Sequence, residues 1–155
     1  MTKEELIEYY KTLSDDDKKH FDNMFVLDQI DCGIKSVNPN VHNIYKPLFL
    51  QHFKRETEKI TISNQTVYIY KLLYVSTHSE TKELLVNYEA MYEDMSKGVK
   101  LYHICSRPIE MFMSKVDTNK YPNIKQKYRF EIITVRKNKN GDTEFCDINQ
   151  TKANI

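Results

Sequence analysis

The chain has 155 residues, 40% of them hydrophobic and 29% charged, with a formal net charge of +1, the composition of one globular domain with an appended segment. No apolar run approaches the roughly 18 residues of a membrane helix, and Met1-Thr2-Lys3-Glu4-Glu5 has no apolar core of the signal-peptide kind, so the expected location is cytoplasmic, with no membrane contact. Cys32, Cys105 and Cys146 form no C-x-x-C pair, the five histidines show no H-E-x-x-H spacing, and three glycines exclude a Gly-rich phosphate loop.

Thr2-x-x-Glu5 reads as a capping box at the start of a first helix. Leu6, Tyr9, Tyr10 and Leu13 recur after it at helical spacing. Ser14-Asp15-Asp16-Asp17 opens a second helix, with its acids where the helix dipole favours them. Phe21, Met24 and Phe25 form that helix's apolar edge. Helices this short bury little alone and must dock on the rest of the chain or on a partner. Residues 31–47 form a break, with turn signals at Cys32-Gly33, Asn38-Pro39-Asn40 and Lys46-Pro47.

Short strands follow. Residues 58–62 alternate, Asn64-Gln65 can turn, and 66–75 continue as a longer strand apolar or aromatic on both faces. Residues 84–91 and 101–105 are the next candidates. Residues 128–136, a turn at 138–141 with Asn140-Gly141, and 143–148 predict a final hairpin. The expected organisation is an N-terminal helical segment over 1–30, a connecting loop over 31–47 and a β domain over 48–155. The fold class is mainly β (α+β): a small antiparallel barrel or a strongly curved sheet, with two short N-terminal helices.

Four motifs occur in order: Gln51-His52-Phe53-Lys54; Thr77-His78-Ser79-Glu80-Thr81 with Leu85-Val86-Asn87-Tyr88-Glu89-Ala90-Met91-Tyr92; Arg107-Pro108-Ile109-Glu110-Met111-Phe112; and Tyr128-Arg129-Phe130-Glu131. In this order they resemble the small bacterial and phage family catalogued as domain of unknown function 1653, over about residues 48–133. That family's pattern is H-F/Y-K-G, a strand, H-S-E-T, a strand with Y-x-x-L-Y, W-V-R-P-x-x-M-F, and a late R-F. Here Arg55 stands for the glycine, Cys105-Ser106 for W-V, and about ten residues near 93–102 are inserted. The resemblance implies a compact β domain of SH3-like kind and no particular function.

The candidate ligand residues are His78, Ser79, Glu80, Thr81, Tyr88 and Arg107. The 78–81 cluster offers an imidazole, hydroxyls and a carboxylate to a small polar ligand. Its plainer role is a turn in which Ser79 and Thr81 bond the backbone and Glu80 caps or pairs. Arg107, at a strand end, can grip a phosphate or carboxylate bidentately, or pair internally with Glu80 or Glu110. His103 and Cys105 would share a face of a strand, but no third residue orients them, and a free cysteine is more often a small buried hydrophobe. The many tyrosines can stack bases or pack across strands.

Charge is uneven: residues 1–31 hold nine acids and four lysines, while 115–139 hold eight basic residues and two acids. The basic stretch makes Lys125, Lys127, Arg129 and Arg136 the nucleic-acid candidates, although charge runs are commonly solvated surface. The leading expectation is a non-enzymatic binding module for a small anionic or nucleotide-like ligand. Nucleic-acid binding ranks below it, as does a protein-interaction or regulatory module of phage type, with a protein partner or homo-oligomer. No catalytic residue, metal ligand or cofactor is assigned.

Overall fold

The computed structural model describes residues 1–38, 47–141 and 143–147. Part of the 31–47 connection, including Pro39-Asn40 and Lys46, lies outside the described residues, as do the side chains of Arg136 and Cys146.

Helix α1 spans Lys3–Thr12 and α2 spans Asp15–Met24. Each begins where its sequence signal lies. The Thr2 hydroxyl accepts from the Glu5 N–H at 3.3 Å, and the Ser14 hydroxyl from the Asp17 N–H at 3.2 Å, each satisfying a donor that the first helical turn leaves open. Six strands follow: β1 (Phe49–His52), β2 (Ile69–Thr77), β3 (Leu84–Ala90), β4 (Ile104–Pro108), β5 (Phe130–Lys137) and β6 (Thr143–Asp147), with the single turn α3 (Ile109–Phe112) after β4. They form one antiparallel sheet in the order β4-β3-β2-β1-β5-β6. The chain is therefore mainly β, α+β, as expected, in the sheet form, with β4 and β6 at the ends of the strand order.

Contacts gather into two compact units: Met1–Pro47, Leu72–Glu89 and Ile104–Ser114 make one; Leu48–Lys71, Ala90–His103 and Lys115–Ile155 make the other. In the first, a line of aromatic contacts starts with Tyr10 on Phe21 (5.4 Å). It continues through Phe25 (5.4 Å from Phe21) and Phe112 (6.1 Å from Phe25) to Tyr88 (5.6 Å from Phe112). Phe21, Met24, Phe25, Ile30 and Phe112 are fully buried. The acidic N-terminal helices thus share a core with β3 and α3. Gly33, at φ 61°, bridges to Val75, whose N–H also donates to the Ser36 hydroxyl at 3.2 Å, so the start of the 31–47 connection is tied to β2.

In the second unit, β1 pairs β2 through Leu50↔Tyr70 and β5 through Gln51↔Glu131 and His52↔Phe130. His52 is buried, stacked on Phe53 at 4.5 Å and on Tyr68 at 5.7 Å. The strand expected over 58–62 is absent: 3-10 turns occupy Phe53–Thr57 and Ile62–Asn64, and Ile62 is 92% exposed. The Asn64 amide oxygen accepts from the Thr61 N–H at 2.6 Å, a local bond that replaces the strand ladder. The longer strand starts at Ile69 instead of 66, because Tyr68 adopts φ 58°, outside β geometry. Residues 101–105 are likewise corrected: the fourth strand begins at Ile104 and runs through Arg107 to Pro108.

Candidate functional site

The loop between β2 and β3 is built by its own side chains. His78 Nδ1 accepts from the backbone N–H groups of Glu80 and Thr81, both at 3.2 Å. The Lys82 N–H donates to the His78 carbonyl at 2.9 Å, with Lys82 at φ 63°, and the His78 N–H closes the turn on the Glu83 carbonyl at 2.8 Å. The Thr81 hydroxyl accepts from the Glu83 N–H at 3.3 Å, and the Lys82 ammonium donates to the Ser79 carbonyl at 2.8 Å. His78, with Thr81, supplies the side-chain acceptors expected of Ser79 and Thr81. An Nδ1 that accepts leaves the proton of a neutral imidazole on Nε2. Residues 78–83 are all exposed.

Arg107 stands on β4 opposite Val86, and Cys105 stands opposite Tyr88. Paired residues in an antiparallel ladder share a face, so Val86, Tyr88, Cys105 and Arg107 lie on one side. Arg107 Nε donates to the Tyr88 hydroxyl at 3.2 Å. Tyr88 is 4% exposed and packed on Phe112, so its oxygen is a fixed point. Among the described residues Arg107 makes no ion pair with Glu80 or Glu110; the Glu110 carboxylate takes the Met1 ammonium, at 3.1 and 3.2 Å. The 78–83 loop and the Arg107 end of β4 lie at the same end of the β2-β3-β4 strands, since β3 starts where β4 finishes.

Cys105 and His103 do not form a reactive pair. His103 precedes the strand and is exposed, and no hydrogen bond joins it to Cys105 among the described residues. Burial pushes the Cys105 thiol up, against a smaller opposing pull from Arg107. Both facts work against a thiolate nucleophile.

The other face of the strands holds a feature that the sequence reading missed. Asn87, only 6% exposed, donates through Nδ2 to the Ser76 hydroxyl (2.9 Å) and to the Leu85 and Tyr74 carbonyls, and its Oδ1 accepts from the Ser106 hydroxyl (2.6 Å). This amide links β2, β3 and β4. The available signal was an asparagine between Val86 and Tyr88 in a strand, where asparagine is disfavoured unless bonded.

The basic stretch is anchored by acids. The Glu56 carboxylate accepts from the N–H groups of Lys125 (2.9 Å) and Gln126 (2.7 Å), one on each oxygen. Glu131 Oε1 accepts from the N–H groups of Lys127 (3.1 Å) and Tyr128 (3.2 Å). The Gln126 side chain is buried, its Oε1 accepting from Gln51 Nε2 (3.0 Å) and its Nε2 donating to the Gln51 and Tyr128 carbonyls (both 2.9 Å). Lys125 and Lys127 are exposed, Arg129 is half-buried, and Arg136 sits on β5 in register with Glu144. At the position of the family's glycine, half-buried Arg55 donates to the Val67 carbonyl at 2.8 Å, and its ring neighbour is Phe145 at 6.0 Å.

Among the described residues no group of three His, Cys, Asp or Glu side chains is gathered to hold a metal ion, and no helix is long and apolar enough to cross a membrane. A family model described as "Protein of unknown function (DUF1653)" matches residues 49–132, more than half of the chain. The matched stretch contains the 78–83 loop, Arg107, and the 125–129 basic residues; Arg136 and the helices α1 and α2 fall outside it. No curated protein and no solved structure matches the chain.

Proposed function

The chain belongs to this family of proteins of unknown function, DUF1653, and on that premise we propose that it is a non-enzymatic, cytoplasmic binding module for a small anionic or nucleotide-like ligand. Arg107 is its principal anchor, beside the loop of His78, Ser79, Glu80 and Thr81, with Tyr88 as the support of the anchor.

One observation carries the reading. Among the described residues Arg107 is a half-buried cation with one hydrogen bond, to the phenol oxygen of buried Tyr88, and the two acids expected to neutralise it do not pair with it. A guanidinium engaged only through Nε keeps both terminal nitrogens for a ligand's oxygens. His78 adds an exposed Nε2–H at the same strand end. The surroundings are apolar, with Val86 and Phe112 buried nearby in the same unit, which strengthens an ionic contact made there.

Thermal-shift screening against inorganic anions, carboxylates and nucleotides tests the reading, because a ligand that binds only the folded chain raises its Tm as its concentration passes Kd. Hits are followed by calorimetry on Arg107→Ala and Arg107→Lys. Loss of binding in both, with the fold retained, supports the reading; unchanged binding in Arg107→Ala removes it.

A second reading, nucleic-acid binding through Lys125, Lys127, Arg129 and Arg136, is favoured by the doubly pinned 125–128 backbone, which presents Lys125 and Lys127 to solvent at a fixed spacing. It ranks second because the net charge is only +1 and nonspecific affinity scales with the phosphates neutralised. Salt-dependent binding to single-stranded RNA or duplex DNA, abolished in Lys125→Ala/Lys127→Ala, would reverse the ranking.

A further inference from the structure

We infer that the sheet face carrying Phe49 and Phe145 stacks an unpaired base of a single-stranded nucleic acid, with Arg55 and Lys71 on its phosphates. The site lies wholly within the second unit. It does not rest on the Arg107 reading; it shares its partner class with the second reading and supplies that reading with the aromatic surface it lacks.

The face follows from the strand register. Phe49 pairs with Lys71 on β2 and with Ile133 on β5, and Val135 pairs with Phe145 on β6. Directly paired residues share a face, as do alternate residues along a strand, so these five lie on one side of the sheet. The rings agree with the register: Phe49 and Phe145 meet edge to face at 6.3 Å. Both are half-buried, and Val135 beside them is 43% exposed, whereas every other phenylalanine of the chain is buried. An aromatic pair left open on a sheet forgoes part of the burial that makes such rings useful in a core.

Cations flank the pair. The Arg55 guanidinium stands 6.0 Å from the centre of the Phe145 ring and spends one bond, from Nη1, on the Val67 carbonyl. Lys71 is half-buried opposite Phe49. Among the described residues neither makes an ion pair, and burial alone pulls the Arg55 guanidinium below its ordinary pKa. A partly desolvated cation gains most from an anion brought to it. The 125–128 loop reaches the same sheet face two residues from Phe49, where Gln51 Nε2 donates to Gln126 Oε1 at 3.0 Å, and it carries exposed Lys125 and Lys127. Rings interleaved with cations suit a single strand, whose bases offer flat faces to a ring or a guanidinium while its phosphates meet the charges. A duplex hides those base faces, and an acidic peptide brings charge without them.

The test is fluorescence anisotropy on the full chain over a range of salt concentrations. The probes are a short labelled oligothymidylate, an oligouridylate and a duplex of the same length, with polyglutamate as a competing polyanion. The expected result is tighter binding of the single strands than of the duplex. Phe145→Leu keeps an apolar side chain and removes the ring, so it should weaken binding about 5-fold or more with the salt slope unchanged. Lys71→Gln should reduce the salt slope by about 0.7, one phosphate contact on a single strand. That slope decides the matter even if Phe145→Leu fails to fold. Duplex bound as tightly as the single strands, or polyglutamate displacing them equally well, overturns the inference. Binding abolished in Lys125→Ala/Lys127→Ala but untouched by Phe145→Leu and Lys71→Gln overturns it and leaves the second reading standing. No binding of any strand overturns both and leaves the Arg107 reading, which is tested with small anions, where it was.

Discussion

Arg107, opposite Val86 on the β3–β4 ladder, reaches diagonally to Tyr88, with Nε 3.2 Å from the phenol oxygen. This bond joins the guanidinium to a buried ring, so anchor and support separate experimentally. Arg107→Lys places an ammonium where a planar fork stood and is expected to weaken anion binding about 10-fold or more. Tyr88→Phe removes one hydrogen bond to a charged group and is expected to lower stability by about 1–2 kcal/mol, with ligand affinity reduced less than in Arg107→Lys. Chemical denaturation and calorimetry on the two variants check both expectations.

His78 should be found, when neutral, as the Nε2–H tautomer. Its Nδ1 accepts two backbone N–H bonds and has no room for a proton of its own. Long-range 1H–15N correlation of the imidazole shows this directly, and a proton on Nδ1 would mean that the turn is not built as described. Replacing His78 by Ala leaves two exposed N–H groups to water and should cost only about 1 kcal/mol, while the amides of Glu80 and Thr81 exchange faster.

Glu56 uses both carboxylate oxygens on the Lys125 and Gln126 N–H groups. Glu56→Gln keeps one acceptor and presents an amide N–H₂ where the other oxygen stood, so the expected loss is about 1.5–3 kcal/mol, the range for a hydrogen bond to a charged group. Urea titration measures it. If the second reading of function held, the same variant would also loosen nucleic-acid binding without removing a basic residue.

Cys105 should alkylate slowly. Burial raises its pKa, so at neutral pH a smaller fraction is thiolate than for an ordinary thiol, and reactivity should climb only as pH rises past the usual cysteine range. Mass spectrometry of timed iodoacetamide labelling should find exposed Cys32 modified before Cys105. Rapid labelling of Cys105 at pH 7 would contradict its placement.

Phe21 ties α2 to both Tyr10 and Phe25 and is almost wholly buried. Phe21→Ala is expected to destabilise the chain by about 3–5 kcal/mol. A loss below about 1 kcal/mol, typical of surface substitutions, would mean that the N-terminal helices are loosely held.

Much of this architecture is legible in local chemistry. Thr2 and Ser14 mark the helix starts, the alternation in β3 and β5 marks strands, and Asn140-Gly141 marks the last turn, with Gly141 at φ 81°. The 58–62 alternation misleads because Thr61 and Asn64 satisfy each other locally, which no periodicity reveals. Strand β1 has only four residues, too short for a pattern. The candidate residues at 78–81 and Arg107 could be named from the sequence, but their partners could not. Arg107 reaches Tyr88 instead of Glu80 or Glu110 because of the β3–β4 register, and Gln126 meets Glu56 across 70 residues of chain. Such pairings are set by long-range strand order and leave no local trace.

The central question is whether Arg107 binds an anion at all. Titrating the folded full chain with propionate while following the Arg107 Nε–H resonance measures that. The expected result is a saturable shift confined to Arg107 and its neighbours Tyr88, Val86 and the 78–83 loop, absent in Arg107→Lys at the same concentrations. Unmoved Arg107 signals in the presence of propionate, phosphate and AMP alike, in a chain shown to be folded, would contradict it.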